Sequence, residues 1–430
     1  MTNNMPTTIF SANSLDEWLT HLEQLHPKEI ELGLTRISEV GERLNLIHFD
    51  AKVITVAGTN GKGTTCAYLE RILIDAGFKV GVYSSPHIHR YNERLRINLL
   101  ELDDQLHCEA FEVIEVARQN ISLSYFEFAT LACLYLLQQQ QCDYILLEVG
   151  LGGRLDATNM VESDISVVTT IGIDHVDWLG SDREAIGYEK AGVFRANKPA
   201  ICGDLEVPTS IIDHANAISA QLKLASQDFK FTIINDLFWS WHGKKTLSPI
   251  KQTLMPIQNA STALAVIEAL ELDIPSSILI SSIEKASLAG RLQQLNGFNC
   301  DFYIDVAHNP QSAEYLALQI KRLRAEKGED CKVHAIVGML ADKDMTSTLS
   351  AINEQITDYN FVNLHCHRGA RAEMLLKAYH NSKNNNHNVT CFENVASAVD
   401  KVANNVNASD IIIVFGSFHT VSDILTNWQG

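Results

Sequence analysis

The chain has 430 residues, 46% hydrophobic and 20% charged, with a formal charge of −18. That length allows two or three domains with large cores, and no apolar run reaches the ~18 residues a membrane span needs. The charge argues against general nucleic-acid binding, which needs basic surface, so an anionic substrate must meet a local positive patch. The segment Pro86-His87-Ile88-His89-Arg90-Tyr91-Asn92-Glu93-Arg94-Leu95-Arg96 is one candidate.

The first thirteen residues are polar and do not read as a secretory signal. Helices are expected over the first fifty residues, one starting at Ser14-Leu15-Asp16-Glu17, where Ser14 caps and Glu17 follows three residues on. A strand at 53–57 leads through a glycine-rich loop into a helix at 64–76. Gly77 suits the position after that helix, and a strand follows at 80–83. Such a strand–loop–helix–strand unit belongs to a parallel α/β sheet. A long helix is expected at 126–141. The strand at 144–149 enters the turn Gly150-Leu151-Gly152-Gly153, and the strand at 165–170 enters Ile171-Gly172-Ile173-Asp174-His175. Residues 229–250, with aromatics and the turn Gly243-Lys244-Lys245, read as an antiparallel excursion. Helices follow at 260–271 and 276–286.

The α/β pattern restarts near residue 300, with strands at 302–306, 333–337, 360–365 and 411–415. The expected fold class is α/β: a parallel-sheet domain with a phosphate loop over 1–296 and a smaller Rossmann-like α/β domain over 297–430. Nine dispersed cysteines without a C-x-x-C pair read as reduced thiols of a cytoplasmic protein. His365-Cys366-His367 would chelate a metal poorly, because alternate residues of a strand point to opposite faces.

Val56-Ala57-Gly58-Thr59-Asn60-Gly61-Lys62-Gly63-Thr64-Thr65 is the strongest local signal. It follows a strand and opens a helix, as a phosphate loop must. Amide N–H groups and the helix dipole attract phosphate there, Lys62 adds charge, and Thr64 or Thr65 could reach Mg²⁺. Gly63 is unusual, since a hydroxyl residue commonly follows the lysine directly. Further polar residues fall at strand ends, where ligands bind in open α/β sheets: Ser85, Glu148 and His175. Together they suggest a metal site beside the loop, although Mg²⁺ prefers oxygen ligands, which ranks Glu148 first and His175 last. The residues alone do not separate Lys190 from a surface lysine beside Glu189.

With these motifs in hand, the chain resembles the folylpolyglutamate synthase/dihydrofolate synthase family, among the Mur-type amide ligases. The resemblance rests on residues 57–64, Ser84-Ser85-Pro86-His87, Tyr125-Phe126-Glu127 and residues 148–159. It continues through Asp174-His175 before Leu179-Gly180, Glu189-Lys190-Ala191-Gly192, Asp305-Val306-Ala307-His308-Asn309-Pro310 and Gly416-Ser417-Phe418-His419-Thr420. Gly63 in the loop is a habit of the superfamily. The resemblance implies an ATP-dependent ligase. ATP phosphorylates a carboxylate, and the amine of glutamate displaces phosphate. The acid is dihydropteroate in one activity and the γ-carboxylate of a tetrahydrofolate in the other. A single-activity folylpolyglutamate synthase, another Mur-type ligase and a nucleotide switch are the alternatives.

By the same resemblance, Thr59, Asn60, Gly61, Lys62, Gly63, Thr64, Asn259, Arg291 and Asp305 bind ATP, and Ser85, Glu148 and His175 hold Mg²⁺. Two ions are expected, with K⁺ a further candidate. Lys190, carbamylated, joins Lys62 and His308 as catalytic. Glu29, Ile30, Glu31, Leu32, Ser124, Tyr125, Phe126, Glu127, Leu155, Asp156, Ala157 and Ser417 contact the substrates. The linker Ala289-Gly290-Arg291-Leu292 keeps the arginine of the family's Pro-Gly-Arg-Phe and lacks its proline and phenylalanine. The expected partners are small molecules, with no nucleic acid and no membrane, and the protein is expected to act as a monomer.

Overall fold

The computed structural model describes residues 10–12, 14–28, 31–328, 330–383 and 385–427. The chain divides into two compact units: one of Met1–His87, Tyr91–Thr253 and Ile257–Ala286, the other of Ile88–Arg90, Leu254–Pro256 and Ser287–Gly430.

The first unit is built on eight strands: β1 (Lys52–Ala57), β2 (Val80–Tyr83), β3 (Leu95–Ile97), β4 (Leu100–Glu101), β5 (Tyr144–Glu148), β6 (Ile165–Val168), β7 (Pro199–Cys202) and β8 (Gln221–Leu224). Their order is β4-β3-β2-β5-β1-β6-β7-β8. The six from β2 to β8 run parallel, and β3 and β4 turn back as an antiparallel edge. The centre of such a sheet is covered on both faces, which demands continuous apolar runs; β1 after Lys52 and all of β2, β5 and β6 are buried. One face packs Leu15, Trp18 and Leu22 of the first helix with Phe111 and Phe128. Ser14 caps that helix, its hydroxyl accepting from the Glu17 amide at 3.3 Å. Toward β6 and β7 the same face gathers Val168, Ile186, Val193 and Ile211, and the helices Lys62–Asp75 and Ile257–Ala269 cover the opposite face. A three-stranded antiparallel sheet, β9 (Lys230–Ile233), β10 (Phe238–His242) and β11 (Thr246–Lys251), forms the excursion read from the sequence.

The second unit carries β12 (Gln293–Leu295), β13 (Asp301–Ile304), β14 (Val333–Val337), β15 (Asp358–Val362), β16 (Asn388–Phe392) and β17 (Ile411–Phe415), ordered β12-β13-β17-β14-β15-β16. All pair in parallel except the edge strand β12. β17, five consecutive buried residues, forms its centre. Several expected strands end early, that at 302–306 at Ile304 and that at 144–149 at Glu148. The strand at 165–170 stops at Val168, leaving Thr169 and Thr170 as loop donors, and that at 360–365 stops at Val362, so His365-Cys366-His367 lies in a loop. No helix of the described residues is long and apolar enough to cross a membrane.

Candidate active site

Strand β1 sits between β5 and β6, with β2 beyond β5. The segment leaving β1 runs toward β2 and that leaving its neighbour β6 runs toward β7, in opposite directions, which opens a ligand crevice there. Four adjacent parallel strands deliver the sequence-predicted residues to this one edge: Ser85 after β2, Glu148 at the end of β5, the glycine-rich loop after β1 and His175 after β6.

The loop turns on Gly61, whose φ of 86° lies in the left-handed region that favours glycine. The helix Lys62–Asp75 begins directly after it, presenting the amides of its first turn. Neighbouring strands brace the loop. The Thr169 and Thr170 hydroxyls both donate to the Asn60 carbonyl, at 2.7 and 2.9 Å. Thr59 donates its hydroxyl to the Gly172 carbonyl at 3.0 Å and accepts from the Gly172 amide at 3.0 Å. Asn259, buried on the helix Ile257–Ala269, donates to the Gly61 carbonyl at 3.1 Å. The Thr65 hydroxyl is sealed from solvent without a hydrogen bond among the described residues.

Lys190 is only 3% exposed, which overturns the surface reading. Its ammonium donates to the Gly58 carbonyl at 3.0 Å, and Lys62 donates to the same carbonyl at 3.0 Å and to that of Thr59 at 3.2 Å. Burial, and then the charge of Lys62, push the Lys190 amine down to about 7, against the pull of Asp174 and Asp156. Close packing holds it there, since the helix Arg183–Ala191 that carries Lys190 lies against the loop after β5. The Glu189 carbonyl accepts from the Arg154 amide at 2.7 Å, the Arg154 guanidinium pairs with Glu189 at 2.9 Å, and a side chain at Gly153 would collide with the Lys190 backbone.

Part of the donor set suits a hard cation. The Ser85 hydroxyl oxygen is sealed and holds no hydrogen bond among the described residues, and Glu148 is buried at a strand end. Both suit an oxygen-seeking ion. His175 stands exposed in the left-handed region, with φ 52°, its amide held by Asp174 at 2.9 Å.

On the face toward the helix Tyr125–Gln140, Ser124 and Glu127 form a reciprocal capping box: Ser124 Oγ accepts from the Glu127 amide at 3.3 Å, and Glu127 Oε2 accepts from the Ser124 amide at 2.8 Å. Arg36 bridges Glu127, at 3.1 Å, and Glu31, also at 3.1 Å. Leu32 is half-buried nearby in the chain, and Glu29 and Ile30 lie outside the described residues. Phe126 tilts against Tyr83 at 6.2 Å between centroids and fills the space that a side chain on Gly150 would need. Asp156 accepts from the amides of Leu151 at 2.8 Å and Thr158 at 3.0 Å, and burial raises its carboxyl. It thereby fixes the turn that presents Leu155 and Ala157.

In the second unit, Asp305 accepts from the amides of Leu292 and Ala307, both at 2.7 Å, which anchors the Arg291 segment. Arg291 lies 5.5 Å from the Phe418 ring centroid. His308 donates Nδ1–H to the Val306 carbonyl at 2.8 Å, so the neutral ring keeps Nε2 as its acceptor. Ser417 is buried, its hydroxyl 2.7 Å from that of Thr420, which donates to the Gly338 carbonyl at 2.7 Å.

Sequence reasoning missed Arg36, Arg154 and the threonine pair. Hydroxyl residues closing the strand beside a phosphate loop were a usable signal for Thr169 and Thr170. Arg36 meets Glu127 across 91 positions, and nothing local announces that.

Residues 56–267 match the model of the Mur ligase middle domain, and residues 290–418 that of the Mur ligase glutamate ligase domain. The dihydrofolate synthase/folylpolyglutamate synthase of Escherichia coli is 45% identical over 418 residues, 96% of each chain. The E. coli structure in complex with DHPP and ADP superposes with a TM-score of 0.91 at 45% identity, covering 97% of this chain and 98% of that one. The bifunctional enzyme of Yersinia pestis, complexed with AMPPNP and Mn ion, gives 0.89 at 44% identity, with coverage of 97% and 98%. The chain belongs to the dihydrofolate synthase/folylpolyglutamate synthase family of Mur-type ligases.

Proposed function

We propose that this ligase joins L-glutamate to dihydropteroate, giving dihydrofolate, and extends tetrahydrofolates at the γ-carboxylate. A carboxylate resists attack by an amine because its oxygen is a poor leaving group. Transfer of the ATP γ-phosphoryl group to that oxygen gives an acyl phosphate; the glutamate amine attacks the carbonyl carbon, phosphate departs, and the amine proton is lost. The supporting observation is the meeting of Lys62 and the buried Lys190 on one carbonyl of the phosphate loop.

The first-turn amides after Gly61 and the Lys62 ammonium would hold the phosphates, with Asn259 fixing the loop. Arg291, anchored through Asp305, would meet the nucleotide, and His308 would face the transferring group through Nε2. Mg²⁺, held by Ser85 and Glu148 with His175, would neutralise charge on the phosphoryl oxygens; two such ions and K⁺ belong to the same reading. Lys190 would carry a carbamate. Its neutral amine adds to carbon dioxide, a nitrogen–carbon bond forms and one proton leaves, which turns a cation into an anion suited to a metal-rich site. An amine brought to about 7 is neutral often enough for that reaction. Phe126, Tyr125, Leu155 and Ala157, with the Arg36-linked Glu31 and Leu32, would receive the pterin, and the Ser417 turn the glutamate. Nine free cysteines fit a reducing cytoplasm, and a monomer suffices for these roles.

The test is product analysis by mass spectrometry. Purified protein with ATP, Mg²⁺ and glutamate is expected to convert dihydropteroate to dihydrofolate and to add glutamyl residues to tetrahydrofolate. Extension without any dihydrofolate from dihydropteroate would reduce the reading to a single-activity synthase. Neither product would overturn it.

A further inference from the structure

Three arginines occupy the basic segment that sequence analysis set aside for an anion. Arg96 is committed, bonded at 2.9 Å to the buried carboxylate of Glu70. Arg90 is exposed. Arg94 differs from both. It is 7% exposed, yet among the described residues no carboxylate pairs with it. Its Nε donates to His87 Nδ1 at 2.9 Å, and its terminal nitrogens donate no hydrogen bond to a described residue. Its guanidinium carbon lies 5.8 Å from the Tyr91 ring centroid and 5.5 Å from that of Tyr125.

Cation–ring contacts are weak beside the cost of burying a guanidinium without a counter-anion. The fold therefore keeps a cation desolvated with its planar fork unused. Guanidinium forks match carboxylates in a bidentate manner. The position is informative too. Arg94 accepts at its carbonyl from the Ser84 amide at 2.9 Å, and its side chain holds His87, so it is tied on both sides of Ser85. It also lies over Tyr125, one of the residues proposed to meet the pterin. It thus stands between the aromatic face proposed for the pterin and the edge proposed for phosphoryl transfer.

The geometry points to Arg94 as a positioning residue that binds the carboxylate of the acid substrate through its terminal nitrogens and aligns it for activation. This rests on the ligase reading above, in which the substrate carries such a carboxylate.

The test compares dihydropteroate with its carboxamide, in which the charge is removed and the shape kept, by titration calorimetry on the full chain without ATP. The wild type is expected to favour the acid by about 10–100-fold, the range for a charge-assisted pair. In Arg94→Gln the acid should weaken until the two ligands bind within about threefold of each other, with the carboxamide affinity unchanged. Should that variant fail to fold, Arg94→Lys decides, because it keeps the charge and loses the fork; its preference is expected to fall several-fold. A merely structural arginine would shift both ligands together, and an unchanged acid-to-amide ratio in the folded variant overturns the assignment. Wild-type protein that binds neither ligand overturns the acid-substrate reading and this assignment with it; wild type that binds both equally overturns the assignment alone.

Discussion

The two units place polar side chains at the carboxyl edges of parallel sheets, and they use them differently. At the edge of the first sheet, groups are left in states that folding alone does not favour: a buried lysine drawn down to about 7 and, among the described residues, a sealed Ser85 hydroxyl without a hydrogen bond and a buried Arg94 without a carboxylate. At the edge of the second, Asp305 holds two amides, Asn309 and Ser312 complete a capping box, and Ser417 serves Thr420. The first edge resembles a surface prepared for ligands at the expense of stability. The second resembles a scaffold that aims Arg291 and His308.

This contrast can be broken by mutation. Lys190→Ala should lower turnover most, by about 10³-fold, the upper range for removing one charge-stabilising group, while circular dichroism shows a folded chain; near-normal turnover would remove Lys190 from the chemistry. Because carbamylation needs the neutral amine, wild-type activity should also fall below pH 7 in carbon-dioxide-free buffer and recover with bicarbonate. Glu148→Gln should cost about 100-fold in turnover with no loss of melting temperature. Asp305→Ala should do the reverse in kind, costing about 1–3 kcal/mol in urea denaturation through two orphaned amides. Equal stability losses in both would erase the distinction. Ser85→Ala should leave stability unchanged or raised, since the hydroxyl has no partner among the described residues, whereas Ser417→Ala should cost about 1 kcal/mol as a lost first-turn bond.

The smallest effect belongs to the second unit. His334 donates to Asp358 at 2.8 Å and lies 3.6 Å from Asp410. Burial opposes its charge, but the two carboxylates outweigh it and raise the imidazole above 6.5. A raised folded value stabilises fully below pH 6.5 and is lost as pH rises through the folded value. The stability difference between wild type and His334→Gln should therefore shrink from pH 6 to 8, while Lys190, lowered to about 7, makes total stability rise with pH in both.

What the sequence disclosed follows the same physics. Strands buried on both faces are plain apolar runs, so 80–83, 333–337 and 411–415 were legible to the residue. The edge strands Leu100–Glu101, Gln293–Leu295 and Asn388–Phe392 are exposed or only half-buried and carry no such run, and they escaped notice. The phosphate loop was legible because its signal is local. The burial of Lys190 was not, since its partner Gly58 lies 132 positions away. Ser124 and Glu127 show the converse, where a motif attributed to substrate contact also builds the helix start.

The most direct test of activation by phosphorylation is isotopic. With both oxygens of the dihydropteroate carboxylate labelled as oxygen-18, turnover with ATP and glutamate should place one labelled oxygen in each phosphate released. Unlabelled phosphate accompanied by amide product would contradict an acyl phosphate and the account of the first sheet edge built on it.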